Sequence, residues 1–260
     1  MDNILNEFLT SIVGDYFSEY GYEPLKLAIS LADDIWDEYL KVRPDHKQML
    51  DEQRPLPSFH GTIATPVELD GTFTIIIDNQ YSKTTLKENP GAWIGTIIHE
   101  LTHTIDYRDY ARLVHAASYD EILDTSRHRM FQLWTEFNAR RHGYYFLRKY
   151  TFKDVHDLAQ IPDIVNRELP FQMNYMYEQY HSTSDGWTQM YTVSQFLGRL
   201  AVWEDLFPSH FDSEQIRALL GANRWMLEMY SYLNSHRDLE VAVQSFDELR
   251  QILLQNFQGL

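Results

Sequence analysis

Apolar positions recur along most of this chain at helical spacing, and one stretch breaks that rhythm. Ile4, Leu5, Phe8, Leu9, Ile12, Val13, Tyr16 and Phe17 return every three or four residues over residues 3–20, the pattern of a one-sided helix. Residues 23–42 read as a second helix, carried by Leu25, Leu27, Ile29, Leu31, Ile35, Trp36 and Leu40. Residues 45–57 are polar and proline-containing and read as a connection. The character then changes. Residues 59–69 are rich in β-branched side chains, Asp70-Gly71 is a hairpin-turn signal, and Phe73-Thr-Ile-Ile-Ile-Asp78 is a short strand of buried type. Two strands need a third strand or a helix over their apolar face. The segment that follows supplies one. Asn89 is its N-cap and Pro90 sits in its first turn. Trp93, Ile94, Ile97, Ile98, Leu101 and Ile105 then make it apolar around most of its surface, so a central, buried helix is expected.

Beyond a bend near Ala116-Ala117, Ser118-Tyr-Asp-Glu121 has the spacing of a capping box. A helical pattern continues to about Tyr150, with a break near Thr125-Ser126. The remainder is helical in period over roughly 154–160, 163–182, 187–206, 213–234 and 239–256. Asp185-Gly186 and Pro208 punctuate it, and Asp212 and Asp238 are N-cap candidates. The expected fold is α+β and mainly α, with a short antiparallel sheet and a helical C-terminal half. Residues 1–57 are expected to be N-terminal helices packed on a core of residues 58–150. Residues 151–260 form a helical subdomain, the whole making one compact unit.

Charge narrows the function. The net charge is −16, from 38 acidic and 22 basic residues, which argues against a partner with a phosphate backbone. It suits a soluble protein or a partner for basic surfaces; mimicry of a nucleic acid is a remote alternative. No cysteine is present, so disulfides and thiolate metal ligation are excluded. Met1–Glu7 carries no positive region ahead of an apolar run, and no stretch approaches 18 apolar residues. A reducing cytoplasm, with no signal peptide and no membrane span, is the expected setting.

The chemistry lies in the buried helix. His99, Glu100 and His103 spell H-E-x-x-H. Residues four apart on a helix share a face, so both imidazoles can reach one zinc ion at about 2.0–2.1 Å. Glu100 can take a proton from a water activated there. A catalytic zinc needs a third protein ligand. The metzincin pattern requires a glycine and a third histidine shortly downstream, and this chain has Asp106 and Asp109 instead.

A glutamate on a second helix is the other common solution. Seventeen residues separate His103 from Glu121 and 32 separate it from Glu136. On one continuous helix the two glutamates would stand about 22 Å apart, so only one can serve. Glu121 already has a role in the capping box. Glu136 is favoured, because Ala139 and Gly143 on its stripe allow close helix approach and its neighbours Leu133, Trp134 and Phe137 are apolar. A buried carboxylate needs a charged partner or a metal.

His99-Glu-Leu-Thr-His103 followed by Glu136-Phe-Asn-Ala139 resembles the gluzincin zinc metallopeptidases, whose third ligand often sits in E-x-x-A. Small cytosolic members include the ImmA/IrrE-type peptidases, which act on repressor proteins. The likeness covers roughly residues 60–150. It implies a zincin fold, one Zn²⁺ and hydrolysis of a peptide or protein substrate, by an endopeptidase rather than an exopeptidase. His99, His103 and Glu136 carry over as ligands and Glu100 as general base.

Supporting roles follow from position. Asp106 shares the ligand face and is the candidate to orient a ligand imidazole, its alternative being a solvated helix acid. Tyr107, His142, Tyr144, Tyr177, Tyr180 and His181 are candidate oxyanion donors, each more ordinary as packing. Arg140 and Arg141 could hold a substrate carboxylate, but a solvated face or a salt bridge to the acidic excess is the more ordinary reading. His115, His128, His156, His210 and His236 have no partner at ligand spacing. If Phe73–Asp78 is the sheet's edge, an extended substrate could pair with it. Two readings compete with the peptidase: a zincin scaffold used only for binding or regulation, and a metal-free core in which the histidines merely pack.

Overall fold

A computed structural model describes residues 2–52, 60–123, 125–152, 161–208, 213–221 and 223–257. Contacts divide the chain into two compact units. The first is Met1–Leu123 with Phe146–Tyr150, and the second is Asp124–Tyr145 with Thr151–Leu260. Helices dominate both, and one small mixed sheet makes the chain α+β, mainly α, as its periodicity implies. Among the described residues, no helix is long and apolar enough to cross a membrane.

In the first unit, α1 (Asp2–Tyr20) precedes β1 (Leu27–Ala32) and α2 (Ile35–Val42). The segment expected to be one helix from 23 to 42 is therefore a strand followed by a helix. Leu27, Ile29 and Leu31 are spaced by two, which suits a pleated strand, and Asp34 stops the strand by capping α2. The Asp34 carboxylate accepts from the amides of Trp36 and Asp37 at 2.8 and 3.0 Å. A 3-10 turn, Pro44–His46, overlaps the start of the expected connection, and α3 (Lys47–Glu52) lies within it.

β2 (Gly61–Ala64) and β3 (Phe73–Asp78) complete the sheet, in the order β1-β3-β2. β2 runs antiparallel to β3, as expected, while β1 pairs with β3 in parallel. β3 is thus the central strand, so the condition under which an extended substrate could pair with it is not met. Its continuous apolar run explains the placement, since a strand covered on both faces and both edges has no polar side to present. One face packs Ile76 and Ala64 against Ile35 and Tyr39 of α2.

α4 (Asn79–Glu88) follows directly, capped by Asp78, and the sequence pattern does not announce it. α5 (Pro90–Leu113) comes next. Asn89 caps it with an acceptor 3.2 Å from the Ala92 amide, and Pro90 opens its first turn. Every residue from Trp93 to Asp106 is buried. On α1, Tyr16 is fully buried and its hydroxyl pairs with Thr102 Oγ1 at 2.8 Å, which ties α1 to α5. α6 (Tyr119–Leu123) ends the unit's main segment.

The second unit consists of helices. α7 (His128–Phe152) contributes its residues up to Tyr145, followed by α8 (Ile161–His181), α9 (Gly186–Leu206), α10 (Ser213–Leu220), α11 (Arg224–Ser235) and α12 (Leu239–Leu254). Asp185 and Asp238 cap α9 and α12 through their side chains. Asp212, expected as a cap, and the helical stretch expected at 154–160 lie outside the described residues. Gly198 lets α9 approach α7 closely: a Cβ there would stand 2.5 Å from the Phe137 carbonyl oxygen. Ser194 of α9 donates to the Leu133 carbonyl of α7 at 2.6 Å.

Candidate metal centre

The first unit supplies two imidazoles and a carboxylate on consecutive turns of α5. His99, Glu100 and His103 are buried, the first two almost completely. Nε2 of His99 and Nε2 of His103 stand 3.1 Å apart, with the rings nearly perpendicular. Two bonds of about 2.05 Å to one ion would span that gap at an angle of about 98°, near the tetrahedral value that zinc adopts. Without an ion, one ring must donate to the other. Oε1 of Glu100 lies 3.9 Å from His99 Nε2, close enough for one water to sit between the carboxylate and an ion on the imidazoles. The donor set therefore fits a small, borderline-soft cation.

The neighbours of this group are backbone and aromatic. Gly61 of β2 packs against the Glu100 side chain. Asp106, the residue expected to orient an imidazole, is buried one turn beyond His103 and lies near the Tyr16 hydroxyl. Burial and the surrounding tyrosines and Asp106 push the Tyr16 hydroxyl well above its ordinary pKa, with the Thr102 hydrogen bond opposing them. Tyr107 is half-buried.

Glu121 is not available as a ligand. It is exposed, its carboxylate accepts from the Ala117 amide at 2.8 Å, and its own amide reaches Ser118 Oγ at 3.4 Å. The capping role read from the spacing holds, although the carboxylate serves the residue before the cap.

Glu136 belongs to the second unit, on α7, and is 1 % exposed. Within that unit Tyr191 of α9 donates to its Oε2 at 2.5 Å, and Arg140 donates to Oε1 at 3.3 Å. The solvated reading of Arg140 fails, because that side chain is buried. Arg199 is also near. Its guanidinium is held down to about 10, first by burial and then by Arg140, with Tyr144, Tyr175 and Glu136 acting in the opposite sense. Arg141 pairs with Asp205 at 2.9 Å, a contact shared with Arg237. Neither Gly61 nor Tyr191 is singled out by the sequence. A glycine in a short strand and one tyrosine among 17 carry no local signal.

The remaining candidates are engaged elsewhere in the second unit. Gln172 donates to the Tyr144 hydroxyl at 2.5 Å, and Asn223 donates to that of Tyr177 at 2.9 Å. His181 stacks on Tyr177 and meets Tyr180 edge-on. His142 is buried, and desolvation with Arg141 and Arg237 nearby pushes it down to about 3. His236 stacks on Tyr232. His156 and His210 lie outside the described residues.

Asp45, His46 and Asp120 form a second cluster of ligating type. It already contains a cation. Arg43, fully buried, donates from Nη2 to Asp45 at 2.6 Å and to Asp120 at 2.7 Å, and from Nη1 to the backbone and hydroxyl oxygens of Thr65 at 3.2 Å.

No known family model, curated protein or solved structure matches the chain.

Proposed function

We propose that this chain is a zinc-dependent endopeptidase whose ion is held by His99, His103 and Glu136. The observation that carries the reading is the pair of facing Nε2 atoms, 3.1 Å apart, with a buried glutamate beside them. His99 and His103 of the first unit and Glu136 of the second are each buried side chains of ligating type. Burial of Glu136 beside Arg140 and Tyr191 also supports it. A donated hydrogen bond from Tyr191 fixes one carboxylate oxygen, as outer partners of metal ligands do.

A zinc ion at such a site polarises a carbonyl and acidifies water. The chain's own residues do the rest. Glu100 takes a proton from the attacking water and returns it to the leaving amine, and burial keeps competing solvent from its carboxylate. With β3 central, β1 and β2 are the two edges of the sheet among the described residues, and β2 is the one that passes the proposed general base. A peptide paired with β2 would therefore run alongside Glu100. Main-chain pairing needs no free terminus, which favours internal cleavage. A reducing cytoplasm, expected from a cysteine-free chain, is the proposed compartment.

The test compares wild type with Glu100→Gln on a proteome-derived peptide library, with zinc measured in both. Cleavage should stop on chelation and return with added zinc. Glu100→Gln should keep its zinc and lose at least about a hundredfold in turnover. Hydrolysis retained by Glu100→Gln would sink the mechanism, and a zinc-loaded, inactive wild type would favour the non-catalytic scaffold.

A further inference from the structure

The main chain of β2 runs directly against the carboxylate of Glu100. At Gly61, the first residue of β2, a Cβ would lie 3.0 Å from both Cγ and Oε1 of Glu100. It would also lie 2.8 Å from Cδ1 of Ile77, the β3 residue paired with Gly61. Carbon contacts are comfortable at about 3.5–4.0 Å, so one of these side chains would have to move. Ile77 can yield by turning a terminal methyl. Glu100 can yield only by moving the group proposed to do the chemistry. The positive-φ glycine among the described residues is Gly21, so the conformation of Gly61 does not demand glycine. The space does.

The height of Gly61 on α5 is itself set. His60 just before it has a φ of 65°, a left-handed backbone that carries strain in a residue with a side chain. Its ring stacks on Tyr81, with centroids 4.2 Å apart and planes 13° from parallel. The Tyr81 hydroxyl pairs with Thr96 Oγ1 at 2.9 Å. Thr96 lies four residues before Glu100, on the same face of α5. The start of β2 and the carboxylate are therefore referenced to the same stretch of helix.

We infer that Gly61 is a positioning residue for Glu100: its missing side chain lets the β2 main chain form the wall against which the carboxylate rests. The catalytic value of that wall rests on the peptidase reading; the contact does not.

The experiment uses Gly61→Ala, Ile77→Val and the double variant, each with zinc content, melting temperature and crystal structure determined. Ile77→Val removes Cδ1, so the double variant retains only the conflict with Glu100 and guards against a folding defect in Gly61→Ala. Rates are read on a quenched fluorescent peptide recovered from the library screen. Gly61→Ala and the double variant should hold wild-type zinc, with kcat down by about 10- to 100-fold and KM within about twofold, as a sub-ångström misplacement produces. The Glu100 carboxylate should be turned away from β2 in the double variant. Equal kcat in the double variant and Ile77→Val, or an unmoved Glu100, overturns the inference. If wild type shows no zinc-dependent hydrolysis, the peptidase reading falls separately, and the crystal structure of the double variant alone decides the role of Gly61.

Discussion

His99 Nε2 and His103 Nε2 face one another at 3.1 Å on a helix buried from Trp93 to Asp106. Two ring nitrogens that face each other at this distance satisfy one another only when one is protonated and donates to the other. A shared ion compensates both rings at once and draws on the lone pairs that face each other. That is the physical reason for preferring a metal centre to a pair of packing histidines.

The two glutamates raised as third ligands make opposite predictions. Glu136→Gln keeps an acceptor for Tyr191 but removes the anionic donor, so its zinc affinity should fall at least about tenfold, as loss of a supporting group alone does. Glu121→Gln should retain zinc fully and lose about 1 kcal/mol or less, the scale of a helix cap. Competition with a chromogenic chelator reads the affinities and urea unfolding reads the stability. The reverse pattern would reassign the ligand.

Arg43 predicts a stability effect with no metal component. Its buried guanidinium joins residues 43–46 to Thr65 and Asp120. Arg43→Met should cost on the order of 3 kcal/mol, toward the low end for a broken buried pair, because Asp45 and Asp120 are half-exposed and can hydrate. Arg43→Lys should recover little of it, since an ammonium cannot reproduce the fork of donors. Denaturant midpoints measured with and without added zinc check this, and restoration by zinc would show that the cluster prefers a metal ion.

His128 predicts a pH effect. Burial, with Arg129 nearby, holds its imidazole down to about 4, against about 6.5 when the chain is unfolded. The unfolded chain therefore takes up the proton first as pH falls. Stability contributed by the neutral ring is complete above about pH 6.5 and is lost through the window down to about pH 4. The loss is at most about 3 kcal/mol. His128→Gln should flatten the stability curve in that window relative to wild type, as followed by urea unfolding at each pH. Parallel curves would contradict the buried, neutral assignment.

Helix α5 was legible because its signals are local. Asn89, Pro90 and the H-E-x-x-H spacing act within a turn or two of themselves: Asn89 caps the helix, Pro90 opens its first turn, and the two imidazoles face one another. Leu27-Ala-Ile-Ser-Leu-Ala32 was not, because its apolar residues extend into the apolar start of α2 and mimic one long helix. Only parallel pairing with β3, more than 40 residues on, makes it a strand. That same pairing moved β3 from the edge to the centre. α4 lacks an apolar stripe, and its cap, Asp78, reads equally as the end of β3, so nothing local announces the helix. Arg43 and Asp120 are 77 residues apart, and nothing near either residue names the other. Gly61 belongs with these: its meaning lies in Glu100, which approaches it from a different element.

The most direct test is anomalous scattering at the zinc absorption edge from crystals of the wild-type protein. The account predicts one strong peak per chain, bonded to Nε2 of His99, Nε2 of His103 and a carboxylate oxygen of Glu136 at about 2.0–2.2 Å. No peak between the two imidazoles in zinc-supplied crystals, or a peak there without Glu136, would contradict it.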